Sequence, residues 1–504
     1  MSLIVSDRQA FTARTITFAC VLLLSACGSS GGDDDSLDNE VGEFVSSLNF
    51  PDASFQECVE ELIRANKWTS YSEVVELQCE DEINSAEGVG LFKELRRLDL
   101  GYSELVNLDL SNNVKLAELK LTWVDLTDID LSNNAELAEL DLTQVDLTNI
   151  DLSNNRKLKR LSLANMWGLE SVNLINNIEL TKLDINGAFL TSIDLSYSLE
   201  LTELNLTSLD LNSIDLSNNV ALTDLTLEYS GRGLTNIDLG SLTDLSYLYL
   251  SDSNIQGIDL SNNHELTYLT LKNNGLLSVD LSENIALTNF YAHGNELTSI
   301  NFGGNSEMVE IEVFEEQLTG IELSNNTSLV ELKLYSDELT SIDLSSLLML
   351  EALLISNTPL NNIDVTNNGA LTYLELPSME LTNIDLSNNS SLIDLNLSRN
   401  TLSSIDLSNN PELTRAFLDF NQLTSIDLDN NPELTHVYLD DNQLSSIDLS
   451  NNSKLLELYL FDNDLTTIDV TNNAALTRLS LGGNPLSSAA REYLYTLDSD
   501  VVTY

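Results

Sequence analysis

Apolar and polar positions across residues 91–486 follow one pattern that returns about every 21 residues. A late copy, residues 444–464, reads L-S-S-I-D-L-S-N-N-S-K-L-L-E-L-Y-L-F-D-N-D. The apolar anchor of its I-D-L unit recurs from Leu108, Ile129 and Ile150 to Ile426, Ile447 and Ile468. Fifteen of the seventeen intervals are 21 residues, one is 22 and one is 23. Such regularity predicts a solenoid, not the three domains that 504 residues would suggest. Each period splits into halves of ten and eleven residues, L-T-x-I-D-L-S-N-N-x and x-L-T-x-L-x-L-x-x-N-x, and both contain L-x-x-L-x-L. In L-x-L the two leucines point one way and the middle residue the other, so each half predicts a short strand. Stacked copies give two short parallel β-sheets around a thin Leu/Ile core, in about nineteen coils and a body roughly 90 Å long.

A solenoid end exposes its core, so caps are expected at both ends. Residues 48–90 supply the first. Phe50-Pro51-Asp52 leads into Phe55, Cys58, Val59, Leu62 and Ile63, an apolar helical face, with Ser54 and Glu57 at capping-box spacing. Residues 73–79 then alternate as a strand, and Leu77 to Cys79 looks like a degenerate first coil. Residues 487–504 supply the second cap, a helix over 488–497 with Tyr493, Leu494 and Leu497 on one face.

The L-x-x-L-x-L-x-x-N unit resembles the leucine-rich repeat family, in the subclass where ten- and eleven-residue units alternate. The match covers about four fifths of the chain. It implies an α/β repeat solenoid with helical caps and, as function, protein–protein recognition; fold alone is an associational argument for function. The Asn that closes the longer half (Asn400, Asn421, Asn442, Asn463) has a short amide suited to bonding the backbone of a tight turn.

The chain opens with an export pattern over residues 1–26. Arg8 and Arg14 lie in a polar stretch, and residues 16–24 are apolar but too short to span a bilayer. The end of this segment, Leu24-Ser25-Ala26-Cys27, resembles a bacterial lipoprotein lipobox, which implies a lipid on Cys27; an ordinary secretory signal is the alternative. Gly28 after the Cys implies outer-membrane sorting by the same resemblance. Residues 27–47 are acidic and read as a solvated tether. The membrane is then reached through the lipid anchor only, and a monomer is expected. Cys20 leaves with the signal, so Cys58 and Cys79 remain, an even pair that reads as a disulfide in an exported chain, with two free thiols as the alternative.

Comparing copies inside the chain separates a constant face from a variable one. On the I-D-L strand the outward middle residue is Asp at fifteen of eighteen positions, with Asn173, Asn301 and Glu322 at the others, and its neighbours are mostly Ser, Asn or Gly. This Asp ladder invites weak Ca²⁺ binding, although one column of carboxylates offers few ligands, and no dedicated metal site or other cofactor is expected. On the L-x-L strand the outward residue changes from coil to coil. Phe417, Tyr438 and Tyr459 form an aromatic run there, with Arg415, His436, Phe461 and Arg478 beside it. Aromatic rings next to Arg are the composition of binding hot spots, although rings also suit strand surfaces by stacking. Tyr249 and Tyr291, with Tyr247 and Tyr268, make a smaller cluster.

Composition narrows the function classes. With 22 basic and 80 acidic residues the formal charge is −58, which disfavours nucleic acid or anionic lipid surfaces as partners. The three histidines, His264, His293 and His436, lie in different coils and no hydrolase, zinc or phosphate-binding motif is present, so no catalytic residues are expected. The sequence therefore predicts a lipid-anchored envelope protein that binds or adheres to a protein through its variable face. Polysaccharide binding, or an acidic structural role without a ligand, are the alternatives.

Overall fold

The computed structural model describes residues 34–79, 83–230, 233–497 and 502–503. The export segment and Cys27 lie outside the described residues. Among the described residues no helix is long and apolar enough to cross a membrane.

The L-x-L halves join into one parallel sheet of 21 strands. Nineteen belong to the repeats, from Arg97–Ser103 to Arg478–Ser480. The first, Glu76–Cys79, and the last, Val502–Thr503, belong to the caps. Register keeps the leucines in line: Leu98 pairs with Leu119, and Leu119 with Leu140. These side chains are buried along the whole body, Leu98, Leu119 and Leu458 completely. At about 1.5–3 kcal/mol per buried leucine, these columns dominate the stability of the solenoid.

Among the described residues the opposite side is a sheet in only two places, Asn149–Asp151 with Ser171–Asn173 and Ser278–Asp280 with Ser299–Asn301. Elsewhere the expected second sheet is replaced by turns that side chains tie together. Asn134 shows how: its Nδ2 donates to Leu110 O at 3.1 Å and to Asn113 O at 2.9 Å, both in the preceding coil. This second Asn of S-N-N is fully buried, not one of the outward polar residues that the pattern suggested. The column runs from Asn113 to Asn473, with Ser198, Leu242 and Leu347 in its gaps.

After most L-x-L strands, though not after Glu310–Phe314 and Glu331–Tyr335, the chain turns through the left-handed region. Asn165, Asn273 and Asn357 take this position with φ of 54°, 47° and 51°, and Gly187, Gly294 and Gly483 take it elsewhere. Such residues tolerate positive φ. Tyr102, Trp123, Tyr229 and Phe420 occupy the same column at 55°, 59°, 48° and 55°, where a bulky residue is strained by on the order of 1–3 kcal/mol.

The N-terminal cap corrects one expectation. Residues within the expected tether form a helix, α1 (Asp34–Ser47). Val41, Phe44 and Val45 recur at helical spacing and are buried, and the Phe44 ring meets Tyr71 edge-on at 5.0 Å. Acidic composition hid that short apolar stripe. Helix α2 (Ala53–Asn66) is capped by Asp52, whose side chain accepts from Phe55 N at 2.9 Å, not by Ser54. Gln56, one place before the expected Glu57, reaches back to accept from Phe50 N at 2.8 Å. A disulfide joins Cys58 on α2 to Cys79 on the first strand. Closing a loop of 21 residues this way contributes about 3 kcal/mol if chain entropy dominates. At the other end α3 (Ser488–Leu494) starts at Ser487, whose hydroxyl accepts from Ala490 N, and seats Leu494 on the last coil. Val502–Thr503 then adds a strand beside residues 478–480, which the sequence pattern did not show.

Candidate functional site

The two faces of the solenoid differ in what their polar groups are already doing. On the constant face each Asp has an internal task. Asp448 Oδ1 accepts from Ser450 N at 2.9 Å, and the same bond recurs at Asp109, Asp259, Asp343 and Asp406. The three departures keep it, since Asn173 accepts from Ile175 N, Asn301 from Gly303 N and Glu322 from Ser324 N. The column is constant because the turn needs a side-chain acceptor two residues before its backbone donor. Hydrogen bonds from the Ser450 backbone and hydroxyl hold the Asp448 carboxyl below its ordinary range.

The sheet face carries the diversity. Phe417, Tyr438 and Tyr459 stand in register on successive strands. Their rings stack, Phe417 on Tyr438 at 4.7 Å and 25°, Tyr438 on Tyr459 at 4.5 Å and 12°. Stacking covers their flat faces, so the rings are half-buried where the sequence suggested an exposed ladder. The stack ends on smaller neighbours, Asn396 and Ser480. Glu457 anchors the hydroxyls, accepting from Tyr438 at 3.0 Å and Tyr459 at 3.4 Å. Burial first, then Glu457, pushes the Tyr438 hydroxyl well above the usual phenol range, so it stays a neutral donor.

The expected flanking residues separate into committed and available groups. Arg415 forms a two-pronged pair with Asp394 on the preceding strand. His436 bonds Thr435 through Nδ1 at 2.8 Å. Arg478 is exposed, 3.5 Å from both Glu457 and the Tyr459 hydroxyl. Phe461 is 44% exposed beyond the end of the strand, and its backbone N–H donates to Asp440 at 2.6 Å. Arg478, Phe461 and the edges of the stack thus form one surface, and Arg415 borders it through its ion pair.

The smaller cluster is arranged differently. The stack runs Tyr247–Tyr268–Tyr291, at 4.7 Å and then 5.3 Å, and Tyr249 stands beside it across from Thr270. Tyr291 donates to Glu310 at 2.7 Å. On the same strand as Tyr291, His293 stacks on Phe314 of the next strand at 4.7 Å and lies 2.9 Å from Glu312, which Lys333 also approaches at 3.3 Å. Lys333 also lies 3.7 Å from Glu310 and 2.6 Å from Glu331, so one cation serves three carboxylates in the middle of the sheet face.

The sequence reading missed the left-handed column altogether. Tyr102 and Trp123 are 64% and 53% exposed. Aromatic residues at a place where other coils use Asn or Gly were the available signal.

No protein-family model matches the chain, and none of the curated proteins compared with it does. Solved structures do match. YopM from Yersinia enterocolitica is 20% identical, with a TM-score of 0.62, over 90% of this chain and 91% of that one. A TDR receptor gives 18% and 0.59, over 85% and 87%. The Toll–Spatzle complex from Drosophila gives 17% and 0.52, over 78% of this chain and 57% of that one. These likenesses establish the fold as a leucine-rich repeat solenoid.

Proposed function

We propose that this chain is a lipid-anchored envelope protein that binds a protein ligand on the sheet face of its last coils. The observation that carries the reading is the Phe417–Tyr438–Tyr459 stack with Arg478 and Phe461 at its border, on the face where neighbouring coils differ most. Held rings lose little conformational entropy on binding, and Arg beside aromatic residues is the usual composition of an interface anchor. Among the fold neighbours, Toll is solved in complex with Spatzle. A sugar would need open ring faces, and here the faces cover one another, which favours a protein over a polysaccharide. Lipid anchoring and outer-membrane placement rest on Leu24-Ser25-Ala26-Cys27-Gly28.

The test is ligand capture from envelope and host extracts by the processed chain and by Tyr438→Ala/Tyr459→Ala. The reading expects a captured protein whose affinity falls at least about tenfold in the double variant, with the fold intact by circular dichroism. A ligand bound equally by both would remove this patch, and an absence of any ligand would favour an acidic structural role.

A further inference from the structure

A second surface lies on the turn edge of the first five coils, away from the stack described above. Tyr102 and Trp123 occupy the left-handed column on neighbouring strands, their rings parallel within 14° at 6.4 Å. Gln144 and Asn165 continue the column. Two residues past Asn165 stands Trp167, whose ring covers Gly187, and in the next coil Phe189 follows. Tyr102, Trp123, Trp167 and Phe189 are 64%, 53%, 58% and 55% exposed. At a coil spacing of about 4.8 Å they span an edge strip about 20 Å long, in which the third coil, with Gln144 and Asp146, carries no ring. The positions that Trp167 and Phe189 hold in their coils are filled in the first three by Glu104, Asp125 and Asp146. All three are exposed and without an ion pair among the described residues.

Two observations say what such a strip takes. Tyr102 and Trp123 persist in a strained conformation that Asn adopts freely in this same column, although they bury little. The chain also shows what a ring in this column can carry: in the late coils Phe420 holds the Arg399 guanidinium 4.2 Å from its centroid. We propose that the Tyr102–Trp123–Trp167–Phe189 strip is a second docking surface, for a basic segment of a protein partner. Arginine or lysine side chains would lie over the rings while Glu104, Asp125 and Asp146 neutralise them. Cation–π attraction and the acidic rim act together, and the charge of −58 draws such a segment in.

Calorimetric titration of a nona-arginine peptide at about 150 mM salt tests this, because exposed charge is largely screened there while ring contacts persist. The comparison is wild type against Tyr102→Asn/Trp123→Asn/Trp167→Ala, which leaves the net charge unchanged. The expected result is roughly tenfold weaker binding in the variant. Trp123→Asn alone should melt no lower than wild type, since it removes strain, and this control separates lost recognition from lost folding. Equal affinity of the two proteins would overturn the proposal, by showing that diffuse charge holds the peptide. Binding of a neutral oligosaccharide to the strip in place of the peptide would overturn it as well.

Discussion

The first coils and the last coils bury the same leucine columns yet solve their turns in opposite ways. In the strands Arg97–Ser103, Glu118–Val124 and Glu139–Val145 pairing runs through the turn, Ser103 beside Val124 and Val124 beside Val145. At the same place the last coils use Asn400, Asn421, Asn442, Asn463 and Asn484, and their strands are three residues long. Asn442 Nδ2 donates to Leu418 O at 3.0 Å and Leu439 O at 3.1 Å, and its Oδ1 accepts from Leu423 N at 3.0 Å. The sheet faces differ as well. Early coils set ion pairs side by side, such as Arg97 with Glu118 at 3.2 Å and Lys182 with Glu203 at 2.5 Å, whereas late coils set rings. Exposed ion pairs contribute about 0–1 kcal/mol each, and on the sheet face of the early strands they satisfy one another. Stability therefore sits in inward columns common to both regions, and recognition sits where an outward column departs from its neighbours.

The comparison breaks first at the turns. Asn442→Ala should destabilise by about 3 kcal/mol, because it leaves the buried Leu423 N–H without its acceptor and takes one of two amide donors from Leu418 O and Leu439 O, which keep Asn421 and Asn463. Val124→Ala should lose about 1–2 kcal/mol, since it removes only packing. Urea unfolding of both variants checks the order, and an equal loss would mean that the Asn column does not hold the late coils together.

A smaller effect comes from pH. Burial, opposed by a hydrogen bond from Phe461 N and reinforced by Asp419, Asp441 and Asp462, raises Asp440 from 3.8 to about 6. The native state therefore holds this proton more tightly than the unfolded chain does, and Asp440 withdraws stability as pH rises from about 4 to about 6. Asp448 has the opposite sign: its lowered value adds stability above the ordinary carboxylate range, lost as pH falls through the folded value. Asp440→Asn should accordingly raise stability at neutral pH by about 1 kcal/mol, a part of the full shift because water still reaches the side chain. It should leave stability below about pH 4 unchanged, as melting curves across this range would show.

The repeats, the inward leucines and the aromatic register were legible because each depends on spacing, and spacing survives in sequence; the disulfide was legible because an even pair of cysteines remains after the export segment. The fragmentary second sheet was not. Both halves carry the same L-x-L signature, and only the buried amides of residues such as Asn134 show that side chains replace strand pairing there. Helix α1 was masked because three apolar residues sit among carboxylates, so composition outweighed period. For the candidate site, the order Phe417, Tyr438, Tyr459 was readable, but the Arg415–Asp394 pair and the hold of Glu457 on two hydroxyls depend on rotamers. Trp123 went unread because a left-handed position has no pattern of its own until copies are aligned on φ.

The most direct measurement compares dissociation constants of a captured protein ligand for two double variants, Tyr438→Ala/Tyr459→Ala in the late coils and Glu139→Ala/Arg160→Ala in the early ones. The account predicts a loss of at least about tenfold for the ring pair and less than about twofold for the ion pair. Equal losses, or a larger loss from the early coils, would contradict it.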